Sequence, residues 1–246
     1  MNAFVTGGSR GIGKSIVLRL VGEGLGCAFT YVSNEEAALE TVEEARRLVP
    51  GCRIAAYRLN QADSSAVEAV CEKAQEEIGD IDVLVNNAAV NRNNAAVLMS
   101  DEEWNEVIDV NLSGPFYLIR CLLMPMLSRR FGRIVNISSL AQGGSSGQAG
   151  YAASKAGLVA LSNTIAREYG SKGITSNTVT VGFVPSGMTD AHMSEALKSI
   201  WLQYCPAKRT GTADEIADAV HYLITEKAGF INGEVLHVTG GLTYAP

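Results

Sequence analysis

The sequence predicts an α/β fold in a single domain, 1–246, with a doubly wound parallel sheet of seven strands between helical layers. Short β-branched runs alternate with longer segments of helical periodicity along the chain. The runs Val83–Val85 and Ile134–Ile137 are continuously apolar, which is typical of strands buried on both faces. With 47% hydrophobic and 19% charged residues, the chain can bury a full core and is not expected to be disordered.

The elements follow one another in strand–helix order. Strands are predicted at Ala3–Thr6, Cys27–Val32, Arg53–Leu59, Ile81–Asn86, Gly132–Ser138, Ile174–Val181 and Glu234–Thr239. Helices are predicted at Ile12–Glu23, Glu35–Leu48, Ser64–Ile78, Glu102–Ser128, Tyr151–Gly170 and Ala213–Thr225. Ser64, Ser100 or Asp101, and Thr212 are the expected helix N-caps, and Glu103 follows Ser100 at capping-box spacing.

Composition excludes several classes of function. A net charge of −6 argues against nucleic acid as a partner, and no run of about eighteen apolar residues predicts a membrane span. Five scattered cysteines are expected to be reduced thiols, and the three histidines lack metal-ligand spacing. Because the first strand-like run begins at Ala3, we expect no leader peptide and a cytoplasmic location.

A glycine-rich loop follows the first strand and opens the first helix. Its spacing, Gly-x-x-x-Gly-x-Gly, supplies a tight turn, close backbone approach to a pyrophosphate and close helix packing. The free N–H groups of the helix N-terminus would then bind the phosphates. The loop predicts a Rossmann-type dinucleotide site with Gly7, Ser9, Arg10, Gly11, Ile12 and Gly13 as cofactor-binding residues.

The end of the second strand bears on the choice of nicotinamide cofactor. An NAD site usually has an acidic side chain there to bind the ribose 2′-hydroxyl, but this strand runs into Asn34 before its first acid, Glu35. Arg10 could instead bind a 2′-phosphate, or it could be an ordinary solvated base. We therefore expect NADPH/NADP⁺ as the cofactor.

Tyr151 and Lys155 lie four residues apart in a predicted helix, so they share one face. A free phenol is a poor acid–base catalyst at neutral pH, and a nearby cation lowers its pKa toward the working range. The sequence therefore predicts a tyrosine–lysine acid–base pair, although Tyr-x-x-x-Lys alone is a common coincidence.

The motifs together resemble those of the short-chain dehydrogenase/reductase family over essentially the whole chain. They are the glycine loop, Asn86-Asn87-Ala88-Ala89, Asn111, Ser138-Ser139 and Tyr151 with Lys155, in that order. Within the family, the closest resemblance is to the 3-oxoacyl-[acyl-carrier-protein] reductases.

The resemblance implies roles for individual residues. Tyr151 would protonate the substrate carbonyl oxygen, Ser139 would hydrogen-bond that oxygen, and Lys155 would hold the nicotinamide ribose. Asn111 would steady a water in a proton relay. The serine assignment stays open, because counting back from Tyr151 by the family's usual spacing reaches Ser138. The remaining cofactor-binding residues implied are Asn34, Asn60, Gln61, Asn87, Ala88, Ala89, Val184 and Ser186.

The predicted activity is NADPH-dependent reduction of a ketone to a secondary alcohol. The expected substrate is a 3-oxoacyl thioester on acyl carrier protein or coenzyme A; the alternative is a free small alcohol, ketone or steroid-like molecule. A remote alternative is a serine acyl hydrolase, because Gly7–Gly11 and Gly143–Gly147 match Gly-x-Ser-x-Gly.

Two further features concern substrate and partners. The segment 185–209 is the expected substrate lid. A basic group could steer an acyl carrier protein, or could be ordinary surface: Arg129, Arg130, Arg133 and Lys172. The resemblance also implies a homotetramer built on the helices at Glu102–Ser128 and Tyr151–Gly170.

Overall fold

A computed structural model describes residues 1–185 and 195–245. These residues contain one seven-stranded sheet, with every pairing parallel and the strand order β3-β2-β1-β4-β5-β6-β7. The strands are β1 Asn2–Val5, β2 Gly26–Tyr31, β3 Ile54–Arg58, β4 Val83–Asn86, β5 Gly132–Ser139, β6 Ile174–Val181 and β7 Val235–Val238. All seven predicted strands are present.

Helices cover both faces of this sheet. They are α1 Gly11–Gly22, α2 Glu35–Leu48, α3 Ser64–Ile78, α4 Asp101–Ile108, α5 Gly114–Arg129, α6 Ala149–Tyr169, α7 Glu195–Tyr204 and α8 Ala213–Ile224. Buried residues of α1, α2 and α8 form one apolar layer, while α3, α5 and α6 contribute to the other. The predicted α/β fold with a doubly wound parallel sheet is confirmed.

The central strands supply side chains to both layers at once. In β1, Ala3 and Val5 join the layer under α1, α2 and α8, while Phe4 between them joins the opposite layer. All three are fully buried. Because successive side chains of a strand point to opposite faces, double burial requires the unbroken apolar runs seen in the sequence.

The helix N-caps agree with prediction at two of three places. Ser100 with Glu103, and Thr212 with Glu215, both form complete capping boxes. The cap of α3 is Asp63, whose carboxylate accepts from the N–H groups of Ser65 and Ala66. The prediction of Ser64 was therefore one residue late, because the carboxylate preceding it satisfies the free N–H groups.

The predicted single helix at Glu102–Ser128 is interrupted. Its helical path runs from α4 through a π-helical turn, Asp109–Ser113, into α5. A π turn fits one extra residue into the path and is invisible to a 3.6-residue periodicity. This turn holds Asn111, one of the predicted site residues.

By length and composition alone, the stretch Asp101–Arg129 could cross a membrane. In the fold, 44% of its most apolar window is buried, and Leu118, Leu122 and Met126 lie in the apolar layer under the sheet.

Gly173 is the position where the fold most clearly requires glycine. It has φ +83°, and a Cβ there would collide with the backbone carbonyl oxygen of Arg130. Gly24 has nearly the same φ, +84°, but faces open space. We expect Gly24→Ala to lower the free energy of unfolding by about 1 kcal/mol through backbone strain alone. Gly173→Ala should lower it by at least about 2 kcal/mol more, because backbone must move.

Urea unfolding followed by circular dichroism measures both variants against the parent protein. An equal loss of unfolding free energy in Gly24→Ala and Gly173→Ala would contradict the steric explanation for Gly173.

Candidate active site

A large cavity lies at the carboxyl ends of the strands. Its volume is about 710 Å³, within the usual range for small-molecule sites. The strand order reverses between β1 and β4, which is the point where open parallel sheets bind ligands. Predicted residues that line it are Gly7, Ser9, Arg10, Gly11, Ile12, Gly13, Asn34, Asn60, Gln61, Asn87, Ala88, Ala89, Ser139, Tyr151, Lys155 and Val184.

The glycine loop is held in place by its backbone. The N–H groups of Gly7 and Gly8 donate to Thr30 Oγ1 at 3.2 Å and to the Thr30 carbonyl at 2.9 Å. Gly7 has φ +69°, and a Cβ on Gly13 would overlap the Gly7 carbonyl. The N-cap of α1, Arg10, makes no side-chain cap bond. The first N–H groups of α1 therefore remain available to an anion, as a dinucleotide pyrophosphate requires.

Asn87 fixes this loop to the end of β4. Its Nδ2 donates to the carbonyls of Thr6 and Gly7, at 2.9 and 3.3 Å. In return, Thr6 Oγ1 accepts from the N–H groups of Asn87 and Ala88, both at 2.9 Å. The Asn87 side chain thus shapes the cavity wall. Thr6 was missed from the sequence, because a buried threonine at a strand end carries no motif.

At its far end, beyond β2 and β3, the cavity is lined by amide side chains rather than by the acid that an NAD site usually has. Asn34 caps α2 by accepting from Ala37 N–H at 2.9 Å, and Asn60 Oδ1 accepts from Ala62 N–H at 3.2 Å. Gln61 Nε2 donates to Val110 O at 2.7 Å, while its buried Oε1 has no partner. Arg10 is exposed at the same cavity. The carboxylates lining the described cavity, Glu106 and Asp109, come from α4 and the π turn instead.

Helix α6 brings Tyr151 and Lys155 to the end of β5. Lys155 Nζ donates to the Ile137 carbonyl at 2.8 Å and lies 5.6 Å from the centre of the Tyr151 ring. The Tyr151 hydroxyl hydrogen-bonds to Ser139. Lys155 is buried, and Tyr151 is partly open to the cavity. The structure therefore places these three predicted residues in one cluster.

Burial dominates the titration of this cluster. It raises the pKa of Tyr151 to about 12, while the hydrogen bond from Ser139 acts in the opposite direction. Burial also lowers the pKa of Lys155 to about 8. The expected lowering of the phenol pKa by the ammonium is not found, because burial outweighs the opposing effect of Ser139.

The two candidate serines have different environments. Ser138 is buried and donates to Gln142 Oε1 at 2.7 Å and to the Lys155 carbonyl at 3.3 Å. Ser139 is partly exposed, accepts from Ala141 N–H at 3.2 Å and contacts the Tyr151 hydroxyl. Both serines line the cavity, but of the two it is Ser139 that contacts the Tyr151 hydroxyl, whereas the Ser138 hydroxyl is committed to Gln142.

Asn111 is buried in the π turn and holds the adjacent loop. Its Oδ1 accepts from Val90 N–H and its Nδ2 donates to Val90 O, both at 2.8 Å. Nδ2 also reaches Ser154 Oγ at 3.2 Å, and Ser154 donates to the Tyr151 carbonyl at 2.8 Å. The side chain therefore links the π turn to the first turns of α6, and sequence reasoning missed Ser154 as the connection.

The outer part of the substrate side is only partly described. Ser186 and the lid positions up to 194 lie outside the described residues. Val184 is buried against the cavity, and Phe183 packs on Trp201 of α7 with ring centres 5.7 Å apart.

The predicted basic group is a structural feature remote from the cavity. Arg129 pairs with Asp80 at 3.2 Å and Asp82 at 3.6 Å. Arg133 is buried and stacks on Phe131, and burial lowers the pKa of its guanidinium. Arg133 lies at the amino end of β5, about 20 Å along the strand from Ser139. This group therefore does not border the site.

Comparison with known proteins supports the same interpretation. A family profile described as "Enoyl-(Acyl carrier protein) reductase" matches residues 7–243. The chain is 43% identical over 242 residues to the 3-oxoacyl-[acyl-carrier-protein] reductase FabG of Staphylococcus aureus (strain Mu50), covering 98% of this chain and 97% of that protein. It is 42% identical over 241 residues to the FabG reductase of Escherichia coli (strain K12), covering 98% and 96%. The resemblance inferred from the motifs is thereby confirmed, and the chain belongs to the short-chain dehydrogenase/reductase family of oxidoreductases.

Proposed function

We propose that this protein reduces the ketone of a 3-oxoacyl thioester, carried by acyl carrier protein, to a secondary alcohol with NADPH. The observation that carries the proposal is the cluster of Tyr151, Ser139 and Lys155 at the edge of a cavity shaped for a dinucleotide. Members of the family use a nicotinamide cofactor. The relatives named above are, as their names say, reductases of 3-oxoacyl-[acyl-carrier-protein].

The described residues fit a nicotinamide dinucleotide. The α1 N-terminus and the glycine loop would hold its pyrophosphate, and Asn60 to Ala62 with Ala88 would line the adenosine end. When bound there, a reduced nicotinamide would supply the hydride for the substrate carbon.

Tyr151 is the proton donor of the proposed reaction. With its pKa at about 12, the phenol keeps its proton at neutral pH. An alkoxide is a stronger base than a phenolate, so proton transfer from Tyr151 to the developing alkoxide is downhill. Ser139 is placed to donate to the same oxygen and to stabilise its charge.

Lys155 would bind ribose hydroxyls and make the local potential positive. An ammonium has three N–H donors, and one of them is used by Ile137, so two remain for the cavity. The positive charge would stabilise the negative charge that develops on the substrate oxygen beside Tyr151. The Asn111 side chain is occupied by Val90 and Ser154. The water of the proposed proton relay would therefore be held by the backbone of the π turn, where the regular i to i+4 hydrogen bonds of the helix are broken.

NADPH is the proposed cofactor because of the charges around the far end of the cavity. Neither Asn34 nor Asn60 can accept as a carboxylate would from a ribose 2′-hydroxyl, while Arg10 can pair with a 2′-phosphate. An enoyl thioester is a second candidate substrate, favoured by the description of the matching family profile. A free ketone or steroid-like substrate is the alternative from the sequence.

A serine acyl hydrolase is not favoured. In the described part of the chain, neither Ser9 nor Ser145 contacts a histidine; His221 instead lies 3.5 Å from Arg19 and 3.8 Å from Glu23. The matched relatives are reductases.

The proposed assembly is a cytoplasmic homotetramer of single-domain chains, residues 1–246, each with its lid near 185–209. Exposed apolar side chains on α5 and around β7 would be covered in such an assembly, among them Phe116, Met124 and Phe230.

The substrate proposal is tested by following NADPH oxidation with a panel of thioesters and ketones. We expect 3-oxoacyl thioesters to be reduced at least tenfold faster, in kcat/KM, than 2-enoyl thioesters, since the acid–base cluster serves a carbonyl oxygen. Faster reduction of free ketones than of 3-oxoacyl thioesters would favour the alternative substrate. A preference for the enoyl thioester would overturn the assignment.

The same assay tests the cofactor. Arg10→Ala should lower kcat/KM for NADPH by ten- to a hundredfold and leave NADH nearly unaffected, because one charge-assisted contact contributes about 1.5–3 kcal/mol. An unchanged ratio between the two cofactors would contradict the role of Arg10.

The paired serines provide a matched test of the catalytic hydroxyl. Ser139→Ala should reduce kcat at least a hundredfold, because it removes the donor next to Tyr151. Ser138→Ala should cost mainly stability, since it removes the buried hydrogen bonds of this hydroxyl to Gln142 and to the Lys155 carbonyl. A greater loss of kcat in Ser138→Ala, at equal folded fraction, would reverse the assignment.

The reductase rate should fall as pH rises through about 8. Above that pKa Lys155 loses its proton and with it the positive charge beside Tyr151, whereas Tyr151 stays protonated until about 12. Initial rates at saturating substrate, measured from pH 6 to 10, check this. Lys155→Met should be slow at every pH and lack this step, and a step of the same midpoint in that variant would exclude Lys155 as its source.

A further inference from the structure

Two cysteines lie in contact on the opposite side of the sheet from α1, away from the acid–base cluster. Cys71 is in α3 and Cys121 is in α5, and the two thiols are hydrogen-bonded to each other where these helices pack. Cys71 is fully buried, while Cys121 is partly exposed. The proposed reduction uses neither.

The two thiols have different chemical character. The hydrogen bond from Cys71 lowers the pKa of Cys121, and Arg120 adds to this, whereas burial, Glu68 and Glu72 act against it. Arg120 also pairs with Glu68 at 3.5 Å, across the same two helices. The same hydrogen bond and burial raise the pKa of Cys71. Cys121 is thus the accessible, more nucleophilic member of the pair, with a second thiol directly beside it.

We propose that Cys71 and Cys121 form a peroxide-reactive dithiol that closes into a disulfide between α3 and α5. The Cys121 thiolate attacks hydrogen peroxide, the O–O bond breaks, and a sulfenic acid and one water are formed. The Cys71 sulfur then attacks the sulfenic sulfur, forming the S–S bond and releasing a second water. The two thiols together lose two electrons and two protons, and the peroxide is reduced to two waters.

The position of the pair connects it to the cofactor cavity. α3 starts directly after the cavity residues Asn60–Ala62, and α5 follows the π turn that contains Val110. Gln61 and Val110 are already joined by a 2.7 Å hydrogen bond at these ends. Each cysteine lies about 10 Å, or two turns, into its helix. The disulfide would therefore join, at a second point, the two helices that carry one wall of the cavity.

The other cysteines provide internal controls. Cys27 is buried and donates to the Ala28 carbonyl, and Cys205 contacts the backbone oxygens of Arg209 and Gly240. Cys52 is partly exposed, as Cys121 is, but it lies in the turn between α2 and β3, outside the contact of α3 with α5. Cys52→Ser is therefore the matched control for Cys121→Ser.

The experiment is a titration of the full-length protein with hydrogen peroxide, followed by non-reducing peptide mapping. We expect a Cys71–Cys121 cross-link within one chain, a mass loss of two hydrogens and reversal by dithiothreitol. The cross-linked protein should melt several degrees higher, because the bond closes a long loop. The cross-link should vanish in Cys121→Ser and in Cys71→Ser, and persist in Cys52→Ser.

Cys71→Ser should in addition leave Cys121 as a sulfenic acid that a 1,3-dione probe traps. Because serine at a buried site could unfold the chain, Cys71→Ala is made alongside, and circular dichroism verifies both. Oxidation of Cys121 to the sulfinic acid in the parent protein without a cross-link would overturn the proposal. So would a cross-link between chains, or one that persists in the folded Cys71 variants.

Discussion

The hydrogen bond from Lys155 Nζ to the Ile137 carbonyl, at 2.8 Å, anchors the site. It connects α6 to the last residues of β5 and so fixes the distance between Tyr151 on the helix and Ser139 at the strand end. An amine can be buried at that place only because a carbonyl oxygen receives it, since an unpaired buried charge is costly. The cavity wall, the acid and its neighbouring hydroxyl all depend on this contact.

Burial shifts the pKa values of Lys155 and Tyr151 in opposite directions. It brings the pKa of Lys155 down to about 8 and takes that of Tyr151 up to about 12. At neutral pH both groups therefore carry a proton, which is the state that a reduction consumes. The parallel strand order supplies the rest, because the ends of β1, β4 and β5 meet along one edge.

The sequence was sufficient for the fold and for the group of residues at the cavity, because both depend on local patterns. Apolar runs predicted the strands, and the glycine spacing predicted the loop that contacts Thr30. The π turn at Asp109–Ser113 was missed, because a single helix of regular period was predicted for the whole stretch, with no shift between the parts before and after the turn. The raised pKa of Tyr151 was also missed, because spacing along a helix gives no measure of burial. That the arginines near the start of β5 lie at the edge opposite the cavity says nothing against their docking a carrier, which stays a prediction.

The π turn also limits how the chain can change in length. An α-helix rotates about 100° per residue, so removing the extra residue would turn all of α5 by that amount. Leu118, Leu122 and Met126 would leave the apolar layer, and Asn111 would lose Val90. The register of this helix is therefore expected to be invariant to insertion and deletion.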